Sequence, residues 1–354
     1  MKILHTSDLH LASALTARLT GEKLKQRRGE LSLLFERCAE EAVYRGAEVM
    51  IIAGDLFDTE RISNRERGRI FETVKKYPAL DFLYLPGNHE KETLLAGAEA
   101  LPENLKLFGR EWTYFDYGMV RIAGRCELSR DMFSTLVTDR EKKNIAVLHG
   151  AVAERSSEDT IGLKDTEGRG IDYLALGHYH SYGRYAMPGG GIAVYSGSPE
   201  GRGFDEAGAH GAVLIETDGD KLTHSFIPTA KREVIIKNVD LTGQSTRLDI
   251  DREVQAALSD ISRESIVRVV LTGRHSPKIS PDTETLLRRY GEGFFYFEVK
   301  DESGIVIDPE EYRYDKSLKG EFIRLVASKD MDGKLRDRII KTGLMALAGD
   351  VSEV

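Results

Sequence analysis

The chain has 354 residues, of which 41% are hydrophobic and 31% charged, and a formal net charge of −8 at pH 7. This composition is typical of a soluble globular protein with room for two domains. No apolar run approaches 18 residues and the chain enters its first predicted strand at once, so neither a membrane span nor a secretory leader is expected.

Two cysteines, Cys38 and Cys126, are far apart in sequence and have no metal-binding spacing. They favour reduced thiols in a cytoplasmic protein. The acidic balance argues against non-specific attraction to a polyanion such as nucleic acid. It does not exclude such a substrate, because metal-binding carboxylates add negative charge that bound cations would neutralise.

Five short apolar segments rich in branched residues predict buried strands, and each leads into side chains of the types that bind metals. They run from Lys2 to Asp8, Val49 to Asp55, Phe82 to His89, Ile145 to His149 and Tyr173 to His180. In open α/β sheets, functional side chains lie just beyond the carboxyl ends of the strands. We therefore expect seven polar side chains at one edge: Asp8, His10, Asp55, Asn88, His149, His178 and His180.

Helices are predicted between the first strands. Apolar residues recur at a 3.6-residue period over residues 24–45, and a second helix is expected from Ser63, where Glu66 completes a capping box. This alternation predicts a layered α/β domain with right-handed crossovers. From Trp112 onward, short strands and the Asp218-Gly219 turn predict a second sheet. The expected fold class is α/β, a two-sheet sandwich flanked by helices (α/β/β/α).

Residues 1–228 are predicted to form this first domain, residues 229–325 a small α+β domain, and residues 326–354 a C-terminal tail. Strands and helices alternate in the second domain. They are expected at Glu233–Leu241, Arg252–Ile261, Ile266–Thr272, Thr283–Tyr290 and Phe294–Val299. A final helix is predicted at Lys334–Leu347 in the tail.

The predicted ligands combine carboxylate and amide oxygens with imidazole nitrogens. Asp8 and His10 could bind one ion from a single loop, and Asp55 could bridge two ions through its two oxygens. Several imidazoles favour Mn, Fe, Zn or Co over Ca or Mg. Two such ions about 3.5–4 Å apart would clamp a phosphate and activate a water. The sequence thus predicts a dinuclear metal-dependent phosphoesterase.

Two residues beside the ligands have predicted supporting roles. His89 follows Asn88 and is expected to donate a proton to the leaving oxygen or to hold the phosphoryl group. Asp58 is expected to orient a histidine or tighten its turn. One such histidine alone would more often be an ordinary core or loop residue, but five motifs at five strand ends indicate one site.

The motifs are Asp-x-His, Gly-Asp-x-x-Asp, Gly-Asn-His-Glu, His-Gly and Gly-His-x-His, beginning at Asp8, Gly54, Gly87, His149 and Gly177. In this order they resemble the motifs of the calcineurin-like metallophosphoesterase superfamily. The resemblance implies that Asp55 bridges two ions and that His89 is the catalytic histidine. It also implies one ion on Asp8, His10 and His180 and another on Asn88, His149 and His178.

Within that superfamily the chain resembles the DNA-repair nuclease branch of SbcD-type and YhaO-type exonucleases. The matching segments are His5–Leu11, Gly54–Asp58 and Tyr195–Pro199. Ala12 stands where that branch usually has glycine. Glu90 stands where it usually has aspartate, which keeps a charge beside the ligands. The resemblance implies a manganese-dependent DNA exonuclease or endonuclease acting in DNA repair, with residues 229–325 in the place of a DNA-capping domain.

The same branch implies two protein partners. Related nucleases form homodimers through helices of the catalytic domain, here around residues 63–77 and 91–100. They also dock a coiled-coil SbcC-type ATPase through a C-terminal helical segment. Two alternatives are open: Lys334–Leu347 is a shortened form of that segment, or this partner is absent.

Basic residues near the predicted site could follow a DNA backbone. Arg61, Arg65 and Arg69 recur at one-turn spacing, and Arg202 lies in a glycine-rich loop. A solvated helix face and a structural turn explain these residues equally well. Two other functions are open: a phosphatase or phosphodiesterase for a smaller ester, and an inactive scaffold that keeps its metal site.

Overall fold

The computed structural model describes residues 1–11, 19–58, 63–86, 101–244, 246–276, 279, 281–306 and 312–348. It divides into two compact units, Met1–Val234 and Ile235–Val354. A β-bridge between Gly208 and Val234 holds the last residues of the first unit. Among the helices described, none is long and apolar enough to cross a membrane.

The first unit contains two six-stranded sheets. In the first, the strand order is β14-β13-β1-β2-β3-β4. Its strands are β1 (Lys2–Thr6), β2 (Val49–Ile52), β3 (Asp81–Tyr84), β4 (Leu105–Leu107), β13 (Gly211–Asp218) and β14 (Lys221–Pro228). Strands β1 to β4 are parallel, and β13 joins β1 in the antiparallel direction. The parallel strands therefore end at one edge of the sheet.

The second sheet has the order β11-β12-β10-β7-β6-β5. Its strands are β5 (Thr113–Tyr117), β6 (Val120–Gly124), β7 (Lys143–His149), β10 (Tyr173–Gly177), β11 (Gly183–Ala186) and β12 (Ile192–Tyr195). The four central strands are parallel. A separate parallel pair, β8 (Ala151–Ala153) and β9 (Thr160–Gly162), follows the end of β7.

The two sheets pack face to face through a core of branched residues. Ile3 and Ile51 from the first sheet share this cluster with Ile145 and Val194 from the second. The other face of the first sheet is covered by α1 (Gly21–Ser32), α2 (Leu34–Tyr44) and α3 (Asn64–Lys76). The predicted two-sheet α/β sandwich is thus confirmed. In the described residues, single 3-10 turns and loops cover the outer face of the second sheet.

The helix predicted over residues 24–45 is two helices, α1 and α2, which meet at Leu33. There φ is −103° and ψ is 6°, outside the helical region. The Ser32 hydroxyl also donates to the Gly29 carbonyl at 2.7 Å, and such local bonds compete with the helical ladder. The capping box predicted at Ser63 and Glu66 is confirmed at the start of α3.

The second unit is built on a three-stranded sheet of order β15-β16-β18. The strands are β15 (Val234–Asp240), β16 (Ile266–Thr272) and β18 (Tyr296–Asp301), with a further pair, β17 (Arg274–His275) and β19 (Gly304–Ile305). Helices α4 (Arg247–Leu258) and α5 (Thr283–Tyr290) pack on the sheet, through Val254 and Leu286. Helices α6 (Leu318–Ala327) and α7 (Gly333–Ala348) follow.

Most elements predicted for this region are present, and two differences have local causes. Helix α4 begins five residues earlier than expected because Thr246 caps it, with Asp249 as the reciprocal partner. Helix α6 was not predicted, since it buries only Gly320, Ile323 and Val326 and so carries a narrow apolar stripe. The final helix was predicted at Lys334–Leu347 and is confirmed at Gly333–Ala348.

Candidate metal centre

Five of the predicted ligands lie together where the parallel strands of both sheets end. Asp8, His10 and Asp55 follow β1 and β2, His149 is the last residue of β7, and His180 follows β10. His10 Nε2 is 3.2 Å from His180 Nε2. Asp55 Oδ2 lies 3.6 Å from His10 Nε2 and 3.5 Å from His149 Nε2. The site is therefore built across the sandwich, with Asp55 between its two halves.

The candidate ligand atoms form two groups that share Asp8. One group is Asp8, His10 and His180, and the other is Asp8, Asp55 and His149. Within each group the oxygen and nitrogen atoms all lie within 4.8 Å of one another. The donor atoms of each group are close enough together to surround one ion. Two adjacent groups of mixed carboxylate and imidazole character match the chemistry of a dinuclear centre.

The backbone at this edge is strained at the ligand positions. Within the described part of the chain, four non-glycine residues have positive φ angles: Asp8 at 53°, His10 at 44°, Asp55 at 47° and His178 at 115°. All four are predicted metal ligands. Residues other than glycine rarely adopt positive φ angles. Such backbone strain persists where the surrounding structure imposes it, commonly at functional sites.

Two glycines allow the ends of the sheets to approach closely. A Cβ at Gly54 would lie 2.1 Å from His149 Nδ1, and a Cβ at Gly177 would lie 1.9 Å from the Ala53 carbonyl oxygen. Both glycines directly precede a predicted ligand. Because Gly54 and Gly177 have no Cβ, the His149 ring can pack between the strand ends. This explains why glycine stands at these two points of the motifs.

Asp8 is fixed by neighbours from the opposite sheet. Its two carboxylate oxygens accept hydrogen bonds from the His178 backbone N–H, at 3.1 and 3.0 Å. The Ser7 hydroxyl donates to Oδ2 at 2.5 Å and lies 2.8 Å from the Ser196 hydroxyl. Asp8 is almost fully buried. A buried carboxylate held this way keeps its orientation before any ion binds.

The Nδ1 atoms of three histidines contact oxygen acceptors, which leaves Nε2 for the centre. His149 Nδ1 lies 2.9 Å from the Ala53 carbonyl oxygen, and His180 Nδ1 lies 2.7 Å from Glu206 Oε1. His10 Nδ1 lies 3.2 Å from Asp58 Oδ1, a close contact that lacks hydrogen-bond geometry. An oxygen partner on one ring nitrogen orients the imidazole and favours coordination through the other.

Charges around the site shift the pKa values of its groups. Burial lowers the pKa of His10, and the nearby Arg202 cation lowers it further. The hydrogen bond to the Glu206 carboxylate raises the pKa of His180. Burial would raise the pKa of Glu206, but hydrogen bonds from His180 and Arg202 outweigh it and hold that pKa well below its usual range. Glu206 is therefore a carboxylate at neutral pH.

Other predicted residues have different placements. The His178 ring lies beside that of His149, with centroids 5.6 Å apart. Asn88, His89, Glu90 and Arg61 lie outside the described residues. Arg65 and Arg69 are on α3. Arg202, expected as a possible phosphate contact, hydrogen-bonds Glu206.

Glu206 was not among the predicted site residues. It approaches His180 across 26 positions of sequence, and no motif joins the two. The available signal was its spacing, four residues after Arg202. That spacing indicates a local ion pair and says nothing about a histidine on another strand.

A cavity of about 740 Å³ opens beside the centre. His10 and Arg202 line it at the site, and Arg69, Phe35 and Ile70 are among its other walls. Apolar walls and cationic side chains thus meet in one space next to the candidate metal ligands. A cavity of this size can hold a ligand as large as a nucleotide.

Comparisons with known proteins found a matching family and similar sequences. The sequence pattern of the calcineurin-like phosphoesterases matches residues 1–182. The chain is 25% identical over 300 residues to the DNA double-strand break repair protein Mre11 of Sulfurisphaera tokodaii, covering 78% of this chain and 75% of that protein. It is 24% identical over 347 residues to the protein of the same name from Saccharolobus solfataricus, covering 90% and 87%.

Among solved structures, a dimetal phosphatase from Danio rerio is similar with a TM-score of 0.41 and 10% identity, covering 63% of this chain and 95% of that one. The family expected from the motifs is confirmed by the sequence pattern, and the repair proteins agree with the expected branch. Since the pattern spans half of the sequence and the strand ends carry its ligand types, the chain belongs to the calcineurin-like phosphoesterase family.

Proposed function

We propose that this chain is a two-metal DNA nuclease that hydrolyses phosphodiester bonds, with manganese as the preferred ion. The observation that carries the metal chemistry is the strain at Asp8, His10, Asp55 and His178. Four disfavoured backbone conformations at four candidate ligands support a site shaped for ions. When bound, two adjacent ions would acidify a water and neutralise charge on the phosphate.

The residues present fit such ions. The Nδ1 proton of His180 is engaged by Glu206, so in the neutral ring Nε2 presents a lone pair toward His10 Nε2 and Asp8. A cation between these atoms would satisfy that arrangement. We assign one ion to Asp8, His10 and His180, and a second to His149, His178 and Asn88. Asp55 lies between them.

The chain's own groups would handle the proton and the leaving oxygen. His89 follows Asn88 in sequence and is proposed to protonate the leaving oxygen or hold the phosphoryl group. Glu90 would add a negative charge beside these ligands. Arg69 lines the cavity beside His10 and would contact a neighbouring phosphate, together with Arg61 and Arg65.

The choice of DNA as substrate rests on the relatives. The matched proteins are DNA double-strand break repair proteins, and the match to Saccharolobus solfataricus extends over 90% of this chain. Residues 229–325 would then act as a DNA-capping domain. A homodimer through α3 and residues 91–100, and a cytoplasmic location, follow the same family pattern.

A coiled-coil ATPase partner is also proposed. Helices α6 and α7 keep large apolar side chains exposed, among them Leu318, Leu325, Leu335 and Leu347. We propose these exposed leucines as the contact surface for that ATPase. Removing residues 318–348 should abolish capture of such an ATPase while manganese binding to Met1–Val234 persists.

A second candidate function is hydrolysis of a smaller phosphate ester. The cavity beside His10 and Arg202 favours it, since its volume of about 740 Å³ can enclose a nucleotide. The metal chemistry would be the same. The two functions differ in whether the substrate extends beyond the cavity along the protein surface.

Purified protein with manganese should be assayed against a labelled DNA duplex and a mononucleotide ester, with His89→Asn as control. Release of the label from DNA by the unmodified protein, but not by His89→Asn, would support the nuclease function. Turnover of the ester with intact DNA would favour the second candidate. No turnover of either substrate, with ions bound, would support the inactive scaffold.

A further inference from the structure

Arg202 joins two carboxylates that flank the candidate metal centre. Its Nε and Nη2 atoms donate to Glu206 Oε1 at 3.1 and 2.5 Å, and its Nη1 lies 3.8 Å from Asp58 Oδ1. The side chain is only 16% exposed. Much of its hydrogen-bonding capacity therefore faces protein groups, and the planar guanidinium is suited to span two acceptors.

Each of these carboxylates contacts a different histidine of the same candidate ion. Glu206 Oε1 is hydrogen-bonded to His180 Nδ1 at 2.7 Å, whereas Asp58 Oδ1 lies 3.2 Å from His10 Nδ1 in an electrostatic contact without hydrogen-bond geometry. Arg202 Nη2 also lies 3.2 Å from His180 Nδ1. An ionised carboxylate can only accept a hydrogen bond, so His180 donates its Nδ1 proton to Glu206 and its Nε2 faces the centre.

The segment that carries Arg202 and Glu206 is held in place. Glu206 Oε2 accepts the Arg202 backbone N–H at 2.8 Å, and the Glu206 carbonyl oxygen lies 2.6 Å from His210 Nε2. Two residues before Arg202, the buried Glu200 carboxylate accepts from Arg27 at 2.9 Å and Arg37 at 2.5 Å. These contacts fix both ends of the segment against the first unit.

We propose that Arg202, Glu206 and Asp58 act as one positioning unit, in which a single guanidinium sets the orientation of both His10 and His180 for the ion that they share with Asp8. Arg202 then serves the metal centre through the two carboxylates and is not primarily a DNA contact. The inference rests on the proposed function, because it assumes that the ion binds.

The test is a calorimetric manganese titration of the full chain and its variants, without DNA. Glu206→Gln and Arg202→Gln should each weaken one of the two ions by about 10–100-fold, the range for residues that orient metal ligands, and leave the other unchanged. Arg202→Lys should recover part of the loss, since a lysine ammonium can hold one carboxylate but not bridge two.

Arg155→Gln is the matched control. Arg155 is 71% exposed and pairs with Asp165 at 2.7 Å. The Arg155→Gln substitution removes the same positive charge as Arg202→Gln, and the affinities for both manganese ions should stay unchanged. Thermal unfolding of each metal-free variant checks the fold. If Arg202→Gln fails to fold, Arg202→Lys and Asp58→Asn carry the test, because Asp58 is exposed by 39% and tolerates substitution better.

Unchanged affinities for both ions in Arg202→Gln and Glu206→Gln would overturn the inference. The inference would also be overturned if Arg202→Gln kept its metal affinity but showed a smaller slope of log DNA affinity against log salt. That result would make Arg202 a DNA phosphate contact. Failure of the unmodified protein to bind two ions would overturn the proposed function itself. The two failures are distinguishable because the second appears before any residue is changed.

Discussion

The His178 backbone N–H donates to both carboxylate oxygens of Asp8, at 3.1 and 3.0 Å. Asp8 follows β1 of one sheet and His178 follows β10 of the other, so this contact joins the two sheets at the edge where the candidate ligands meet. The position of each ligand consequently depends on packing between the sheets. Changes that separate the strand ends should weaken ion binding before they unfold the protein.

Gly54→Ala should have such an effect. The new Cβ would lie 2.1 Å from His149 Nδ1 and 2.6 Å from its Cγ, at a φ of +91°. Gly46→Ala is the matched control, because Gly46 has a φ of +74° and no atom within 4 Å of an added Cβ. The control should cost about 1–2 kcal/mol of stability and keep manganese affinity. Gly54→Ala should lose at least one ion; equal metal affinities in the two variants would refute the close approach.

Asp55→Ala should weaken both ions together. Asp55 Oδ2 lies 3.6 Å from His10 Nε2 and 3.5 Å from His149 Nε2, which we assign to different ions. Elemental analysis after dialysis should find fewer than one ion per chain. Asp172→Ala, which removes a carboxylate paired with Lys143, is the control and should retain two. Loss of a single ion from Asp55→Ala would show that Asp55 does not bridge.

Stability should fall at acid pH through Glu30. Burial opposes its ionisation, but hydrogen bonds from Arg232 and Gln26 lower its pKa to about 2. Because this pKa is lower in the folded chain, the Glu30 carboxylate stabilises the fold at pH values above about 4.5, its pKa in the unfolded chain. This contribution to stability is lost as the pH falls toward 2. Glu30→Gln should cost on the order of 3 kcal/mol at pH 7 because the buried Arg232 loses the carboxylate that it pairs with at 2.6 and 2.7 Å.

Urea unfolding from pH 3 to pH 7 measures this effect. The unmodified protein should lose stability faster than Glu30→Gln as pH falls, so the two curves should converge. Glu41→Gln, which changes a carboxylate paired with the partly exposed Arg45, should follow the unmodified curve. Parallel curves for Glu30→Gln and the unmodified protein would contradict the assigned pKa.

Charge removal on α3 should weaken DNA binding. Arg65 and Arg69 are one turn apart on that helix, and Arg69 lines the cavity beside His10. The double variant Arg65→Gln/Arg69→Gln should reduce the slope of log affinity against log salt by about two. Arg45→Gln, at the end of α2, is the control. An unchanged slope in the double variant would place the DNA backbone elsewhere.

Local patterns predicted the parts of the fold and site that depend on neighbours in sequence. Asp8 and His10 share a loop, and the capping box of α3 spans Ser63 and Glu66. Each could be recognised from residue type and spacing alone. The convergence of strand ends followed from the general geometry of parallel sheets.

Contacts between distant segments could not be predicted in this way. Glu206, which follows β12, and His180, which follows β10, come into contact only in the folded chain. The role of Arg202 depends on Asp58, which lies on another part of the chain. The break at Leu33 was also missed, because Leu31, Leu34 and Phe35 keep a helical spacing across it.

The most direct test of the central claim is the number of manganese ions bound per chain, measured by equilibrium titration and low-temperature electron paramagnetic resonance. We expect two ions and a spin-coupled signal, since Asp55 Oδ2 lies within 3.6 Å of both His10 Nε2 and His149 Nε2, which we assign to different ions. One isolated ion per chain, or none, in the correctly folded protein would contradict a dinuclear centre at this edge of the sheets.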